Sequence, residues 1–138
     1  MRPAAALLPA LALAAPTSAL AAATTAPIRI ELNSAVPAQK QCSLSFVIEN
    51  KDDAALQSLK LDLVLFGRDG VISRRLIAEM GPLRAAKTSV KTFAVDGDCA
   101  ALGSVLVNDV TACAPGEAEA CLTRLELKSR VSDLRLFK

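Results

Sequence analysis

Four cysteines are the residues in this 138-residue chain most able to do chemistry, and two of them bracket the stretch "TACAPGEAEAC", Thr111 to Cys121. Paired thiols can hold a metal, exchange electrons or lock a loop. A zinc site needs four close ligands, commonly Cys-x2-Cys or histidine pairs, whereas Cys113 and Cys121 enclose seven residues and the chain has no histidine. Copper sites favour Met and His clusters, and Met80 is the only methionine beyond the initiator. A thiol oxidoreductase would carry Cys-x-x-Cys at a helix start, which is absent. Structural disulfides remain. No metal or cofactor is expected.

Histidine is also the base of the common Ser-His-Asp and Cys-His mechanisms, so its absence removes both. Paired carboxylates or Ser-Lys chemistry remain formally open, with Asp62, Asp69, Asp96, Asp98 and Asp109 as the acids to consider. Asp69, Asp96 and Asp98 adjoin glycines, where turn chemistry accounts for them. Asp96-Gly97-Asp98 has too few ligands for a hand-type calcium loop. Asn108 and Asp109 precede the Thr111–Cys121 loop, and we assign them hydrogen bonds to its backbone. Arg74, Arg75, Arg84 and Lys87 form a possible cationic partner surface, set against the simpler reading of an edge strand protected by charge.

Compartment follows from the N-terminus. Arg2, the small-apolar run Ala4–Ala15, and Ala19-Leu20-Ala21 follow the order of a secretory signal peptide, with cleavage expected after Ala21. That leaves residues 22–138, or 138 − 21 = 117 residues, as one domain. No later run is long and apolar enough for a transmembrane helix. The expected location is periplasmic or secreted, where four cysteines read as two disulfides. A formal charge of +2 and the lack of any long basic run exclude nucleic acid as a partner. Four Phe, no Trp and no Tyr offer few stacking platforms for bases or sugars.

The elements that position these residues are strands. Ile28/Ile30/Leu32, Cys42/Leu44/Phe46/Ile48, Leu59/Leu61/Leu63/Leu65 and Leu125/Leu127 alternate with mainly polar neighbours, the period of half-buried strands. Weaker alternation fills Val71–Ile77, Ser89–Val95 and Ser104–Val110. Turn signals such as Gly67-Arg68-Asp69-Gly70 and Gly81-Pro82 separate them. The expectation is an all-β, immunoglobulin- or fibronectin-III-like antiparallel sandwich of about seven strands: 28–33, 42–50, 58–66, 71–77, 89–96, 103–110 and 121–128. Leu134 and Leu136 allow one further edge strand. Val64 and Phe66 share the nominal outer face of the third strand, either beneath the C-terminal segment or as an exposed apolar patch.

If consecutive strands run up and down, Cys42 and Cys99 lie at one end and Cys113 and Cys121 at the other. A disulfide reaches only ~7 Å between Cα atoms. End parity therefore selects Cys42–Cys99 and Cys113–Cys121. The chain-entropy account assigns about 4 kcal/mol to the first and about 2–3 kcal/mol to the second.

The stretches "SAVPAQKQCSLSFVIEN", "LVLFGRDGVISRRL" and "VDGDCAALGSVLVND", with the paired late cysteines, resemble a group of small exported bacterial proteins with no assigned activity. The likeness runs from about Leu32 to Leu127. It implies compartment and architecture but no catalytic residues. Members are labelled as twin-arginine exported, and the single Arg2 departs from that. The functional expectation is a non-enzymatic interaction or accessory module of the bacterial envelope, with another envelope protein as partner. The alternatives are a small-molecule or glycan binder, a strand-addition chaperone or fibre subunit, and a carboxylate hydrolase.

Overall fold

A computed structural model describes residues 26–138. The expected signal peptide, 1–21, lies outside the described residues. Eight strands form two four-stranded sheets with one contiguous core between them. The strands are β1 (Ile28–Ala38), β2 (Gln41–Asn50), β3 (Ser58–Gly67), β4 (Ile72–Glu79), β5 (Thr88–Asp96), β6 (Leu102–Ala114), β7 (Leu125–Ser129) and β8 (Arg135–Phe137). One α-helix, α1 (Ala118–Arg124), precedes β7. The first sheet has the order β5-β2-β1-β7 and the second β4-β3-β6-β8.

The alternation read from sequence builds this core directly. Ile28, Ile30 and Leu32 of β1 face inward with Leu44, Phe46 and Ile48 of β2. Leu59, Leu61, Leu63 and Leu65 of β3 meet them from the other sheet. The Phe46 and Phe93 rings pack edge to face with centroids 6.0 Å apart, the arrangement their quadrupoles favour. Truncating one such leucine removes apolar burial and leaves a cavity, a combined cost of about 2–5 kcal/mol.

The all-β sandwich is present, with two departures from an antiparallel immunoglobulin-like plan. β7 pairs in parallel with β1, and β8 pairs in parallel with β6. In an immunoglobulin sandwich the last strand lies beside the sixth. Here β7 has moved to the opposite sheet and β8 takes the place beside β6. The cause lies after β6, which runs on to Ala114, past the expected end at Val110. The chain then crosses between sheets as α1, so residues 121–124 are helical where a strand over 121–128 was expected. Cys121 and Leu125, both buried, are four residues apart. That spacing fits one face of a helical turn as well as it fits alternation.

Covalent bonds join Cys42 to Cys99 and Cys113 to Cys121, with Cα separations of 4.9 and 6.5 Å. The first ties the start of β2 to the short 3-10 turn Cys99–Ala101. The second ties the end of β6 to α1. At this second end a polar hub closes the sandwich. Arg124 Nη2 donates to Asp52 Oδ2 at 3.2 Å, and Arg124 Nε donates to the Ala26 carbonyl at 2.7 Å. Asn50 Nδ2 donates to the carbonyls of Ala54 and Arg84. Asp52 and Asn50 are both buried. Lys138 Nζ donates to the carbonyls of Leu122 and Leu125 at the C-terminal end of α1, where a cation complements the helix dipole.

Two outcomes test this architecture. Non-reducing peptide mapping returns a Cys42–Cys99 link, and a Cys42 link to Cys113 or Cys121 would contradict the strand order. Arg124→Met leaves the Asp52 carboxylate buried without its cation. It costs about 3 kcal/mol in urea unfolding, against under about 0.5 kcal/mol for Arg135→Met at an exposed site.

Candidate binding surface on the second sheet

The two sheets differ on their solvent faces, and the difference follows from strand register. In an antiparallel sandwich the outward row of each strand is ordinarily polar. The first sheet obeys apart from the Val47–Val90 pair, in which Val90 is exposed. Arg29 Nε donates to Glu126 Oε2 at 2.7 Å, and Arg130 Nε donates to Glu31 Oε1 at 2.7 Å. Lys128 approaches Glu31 at 3.8 Å, and Lys51 pairs with Glu49. The hydrogen bond from Asn33 holds the Glu31 carboxyl below the usual carboxylate range; desolvation works the other way, and the Arg130 bond and the Arg130 and Lys128 charges add to the lowering.

The second sheet does not obey. Across its outer face Val64 of β3 stands beside Leu106 of β6, which stands beside Phe137 of β8. On the next rows Phe66 stands opposite Ile72, and Asp62 stands opposite Ile77. Val64 is only 6% exposed, sheltered by its neighbours, while Ile72 and Ile77 are 61% and 55% exposed. The Arg135 guanidinium lies over the Phe137 ring, 4.4 Å from its centroid, an attraction between cation and ring face. The C-terminal strand thus widens this face instead of covering Val64 and Phe66.

One polar cluster sits within the apolar rows. Arg75 Nε donates to Asp62 Oδ1 at 2.9 Å and Arg75 Nη2 donates to Asp62 Oδ2 at 2.7 Å, a bidentate fork. Asn108 Nδ2 donates to the same Oδ2 at 2.7 Å. The Asp62 side chain is 3% exposed, although it points to the outside of the sheet. The Arg75 hydrogen bond holds its carboxyl below the usual aspartate value; burial works the other way, and Asn108 and the Arg75 charge add to the lowering. Arg75 is itself raised by its bond to Asp62. The fork uses two of the five guanidinium N–H groups. Three point elsewhere, on a side chain 65% exposed and fixed in orientation.

The expected cationic surface is not one cluster. Arg75 lies on the outer face, bound to Asp62. Arg74 stands opposite the core residue Leu65, on the inward row of β4. Arg84 and Lys87 lie beyond the far end of β4, in the connection to β5, where their carbonyls accept from Asn50. Arg74 lies five residues along the strand from Glu79, roughly 17 Å at the usual rise. Asn108 and Asp109 also differ from expectation. β6 continues past them, Asn108 binds Asp62, and Asp109 Oδ1 accepts from the Val110 amide.

The other acids are engaged in local structure. Asp69 accepts from the Val71 amide and Asp98 from the Ala100 amide, and Asp96 accepts from Gln41 Nε2. Gly70 completes the β3–β4 turn at φ +80°, a conformation that favours glycine. No group of three or more metal-ligating side chains occurs among the described residues. Among them, too, no helix is long and apolar enough to cross a membrane. The sequence reading passed over Asp62–Arg75 because the partners are thirteen residues apart across a hairpin. The signal was the acid itself, set between Leu61 and Leu63 on the row shared with Val64.

No family profile matches this chain, and no curated protein or solved structure matches it.

Asp62→Asn tests the cluster through pH. The folded Asp62 pKa lies below the unfolded value, so the ionised carboxylate stabilises the fold above the ordinary aspartate range. That contribution disappears as pH falls through the lowered value. At pH 7 the variant is less stable by about 1–3 kcal/mol. The gap between wild type and variant closes as unfolding is measured at progressively lower pH; a constant gap would show that the carboxylate charge is irrelevant.

Proposed function

We propose that this protein is a non-enzymatic interaction module, exported to the bacterial periplasm or secreted, whose outer second-sheet face docks another envelope protein. The observation that carries the reading is the apolar outward row Val64–Leu106–Phe137, flanked by Ile72, Phe66 and Ile77 around an orientated Arg75. Ile72 and Ile77 are the exposed members of this face, Phe66, Leu106 and Phe137 are half-buried and Val64 is buried among them; an apolar face of this kind is one that a partner can cover. Interfaces concentrate their binding energy in a few anchors, arginine prominent among them, set in desolvated and well-packed surroundings. Arg75 would enter such an interface with its side-chain entropy already lost to the Asp62 fork, which lowers the cost of association.

The same chemistry weighs against the alternatives. Each acid considered for hydrolysis accepts a structural hydrogen bond, including Asp69, Asp96 and Asp98, which share the cleft at the β3–β4 hairpin end with Arg68 and Arg74. A glycan site would want exposed aromatic platforms, and Phe137 is already stacked under Arg135. Two disulfides fit an oxidising compartment.

A photo-crosslinking residue at Ile77, in cells of the source organism, should capture a discrete protein adduct, while the same residue at Lys128 on the first sheet should not. Ile77→Glu, with the crosslinker moved to Ile72, should remove that adduct and change stability by less than about 0.5 kcal/mol. Equal labelling from Ile77 and Lys128, or an adduct indifferent to Ile77→Glu, would refute the docking face.

A further inference from the structure

The two long sides of the sandwich are built differently. On one side β7 and β8 are joined by residues 130–134, and Leu134 and Leu136 fill the space between the sheets. On the other, β4 and β5 are both sheet edges, joined by residues 80–87 at one end only. Their inward rows carry charge where core residues would be expected. Arg74 stands opposite Leu65 on β4, and Lys91 stands opposite Phe46 on β5. Half-buried Leu76 and Phe93 share those two rows.

The segment forming this side, residues 72–96, holds five cations (Arg74, Arg75, Arg84, Lys87, Lys91) against two acids (Glu79, Asp96). Arg75 is neutralised by Asp62. Among the described residues, Arg74, Arg84, Lys87 and Lys91 form no ion pair. Lys91 lies three residues from the Thr88 end of β5 and Arg74 five from the Glu79 end of β4. At the usual rise these are roughly 10 and 17 Å along the seam. Lys91 and Arg74 therefore stand at successive distances along the seam, and Arg84 and Lys87 belong to the connection at its near end. At the hairpin end Arg74 shares a cleft with Arg68, Asp69, Asp96 and Asp98, and these acids terminate the positive stretch.

Edge strands commonly carry inward charges that deter pairing with other chains. β4 fits that description, with Arg74, Arg75 and a bulge near Leu65/Phe66. β5 fits it poorly. It pairs with β2 in unbroken register over nine residues, without proline or bulge, and carries Thr88, Val90 and Thr92 outward. Such an edge accepts a further strand once the charge facing it is complemented.

We propose that the seam between β4 and β5 binds an extended acidic polypeptide segment, which adds as a strand to the free edge of β5. Alternation fixes the chemistry of the guest. Every second side chain enters the seam and must be acidic, to meet Lys91 and Arg74. The intervening side chains lie beside Val90 and Thr92 and are β-branched. The guest runs from the Arg84–Lys87 end to Arg74 and stops before Asp96. This site is separate from the outer-face row and fails or stands independently of it.

The test uses isotope-labelled mature protein and the blocked octapeptide (Thr-Glu)4, with (Thr-Lys)4 and inorganic polyphosphate as comparisons. The expected result is saturable amide shifts confined to residues 72–78 and 88–96, with slowed hydrogen exchange along β5. Lys91→Glu with Arg74→Glu weakens binding at least tenfold. The milder pair Lys91→Gln with Arg74→Gln serves if charge reversal disturbs folding, and weakens it at least threefold. The proposal is overturned by no shift at millimolar (Thr-Glu)4, by equal binding of (Thr-Lys)4, or by affinity indifferent to both variant pairs. Equal shifts and equal β5 protection with polyphosphate would also overturn it, reducing the seam to a general anion surface. Unchanged Ile77 crosslinks in these variants would show that the outer-face reading survives such a failure.

Discussion

Asp52 is a carboxylate buried at the end of a sandwich whose core is apolar, and the fold is arranged so that this charge is met. Arg124 reaches it from α1 and at the same time binds the Ala26 carbonyl before β1. The Asp52 carbonyl accepts from Ala86, in the β4–β5 connection, and its amide donates to Asn50. Asn50 in turn gathers the carbonyls of Ala54 and Arg84. One buried acid thereby fixes the end of β2, the start of β1, the β4–β5 connection and the helix that carries the chain between sheets. Removing a buried ion from water costs several kcal/mol, recovered only when every partner is in place. The hub therefore specifies the arrangement more than it stabilises it.

That specification explains the departure from immunoglobulin topology. Once α1 is held over the end of the sandwich by Arg124 and by the Cys113–Cys121 bond, the chain must emerge on the first sheet beside β1. The parallel β1–β7 pair follows. β8 then returns to the second sheet, seals that side with Leu134 and Leu136, and brings Phe137 next to Leu106. The apolar outer row exists because of this last step. Among the described residues the opposite side receives no such closing strand, which leaves β5 with an open edge and the seam with its cations.

Legibility differed by scale. The inward rows of β1, β2 and β3 were readable because period two survives wherever a strand has one buried face. The two disulfides of the structure join the same cysteines that end parity selects, since parity needs only strand count and direction. Residues 121–124 misled because Cys121 and Leu125 satisfy both a strand period and a helical turn. The partner surface was read from proximity in sequence. Arg74 and Arg75 are adjacent there but face opposite sides of β4, as neighbours on a strand must.

The sequence by itself therefore determined the sandwich class, the core rows and the oxidised cysteine framework, because these depend on local period and composition. Only the tertiary structure decided which outward residues became a surface. Val64, Leu106 and Phe137 come from three separate strands, and Arg75 meets Asp62 across a hairpin. Their meeting depends on strand order and register, which the hub at Asp52 and the helical crossing set. No local pattern encodes that, since each residue on its own strand is an ordinary outward position.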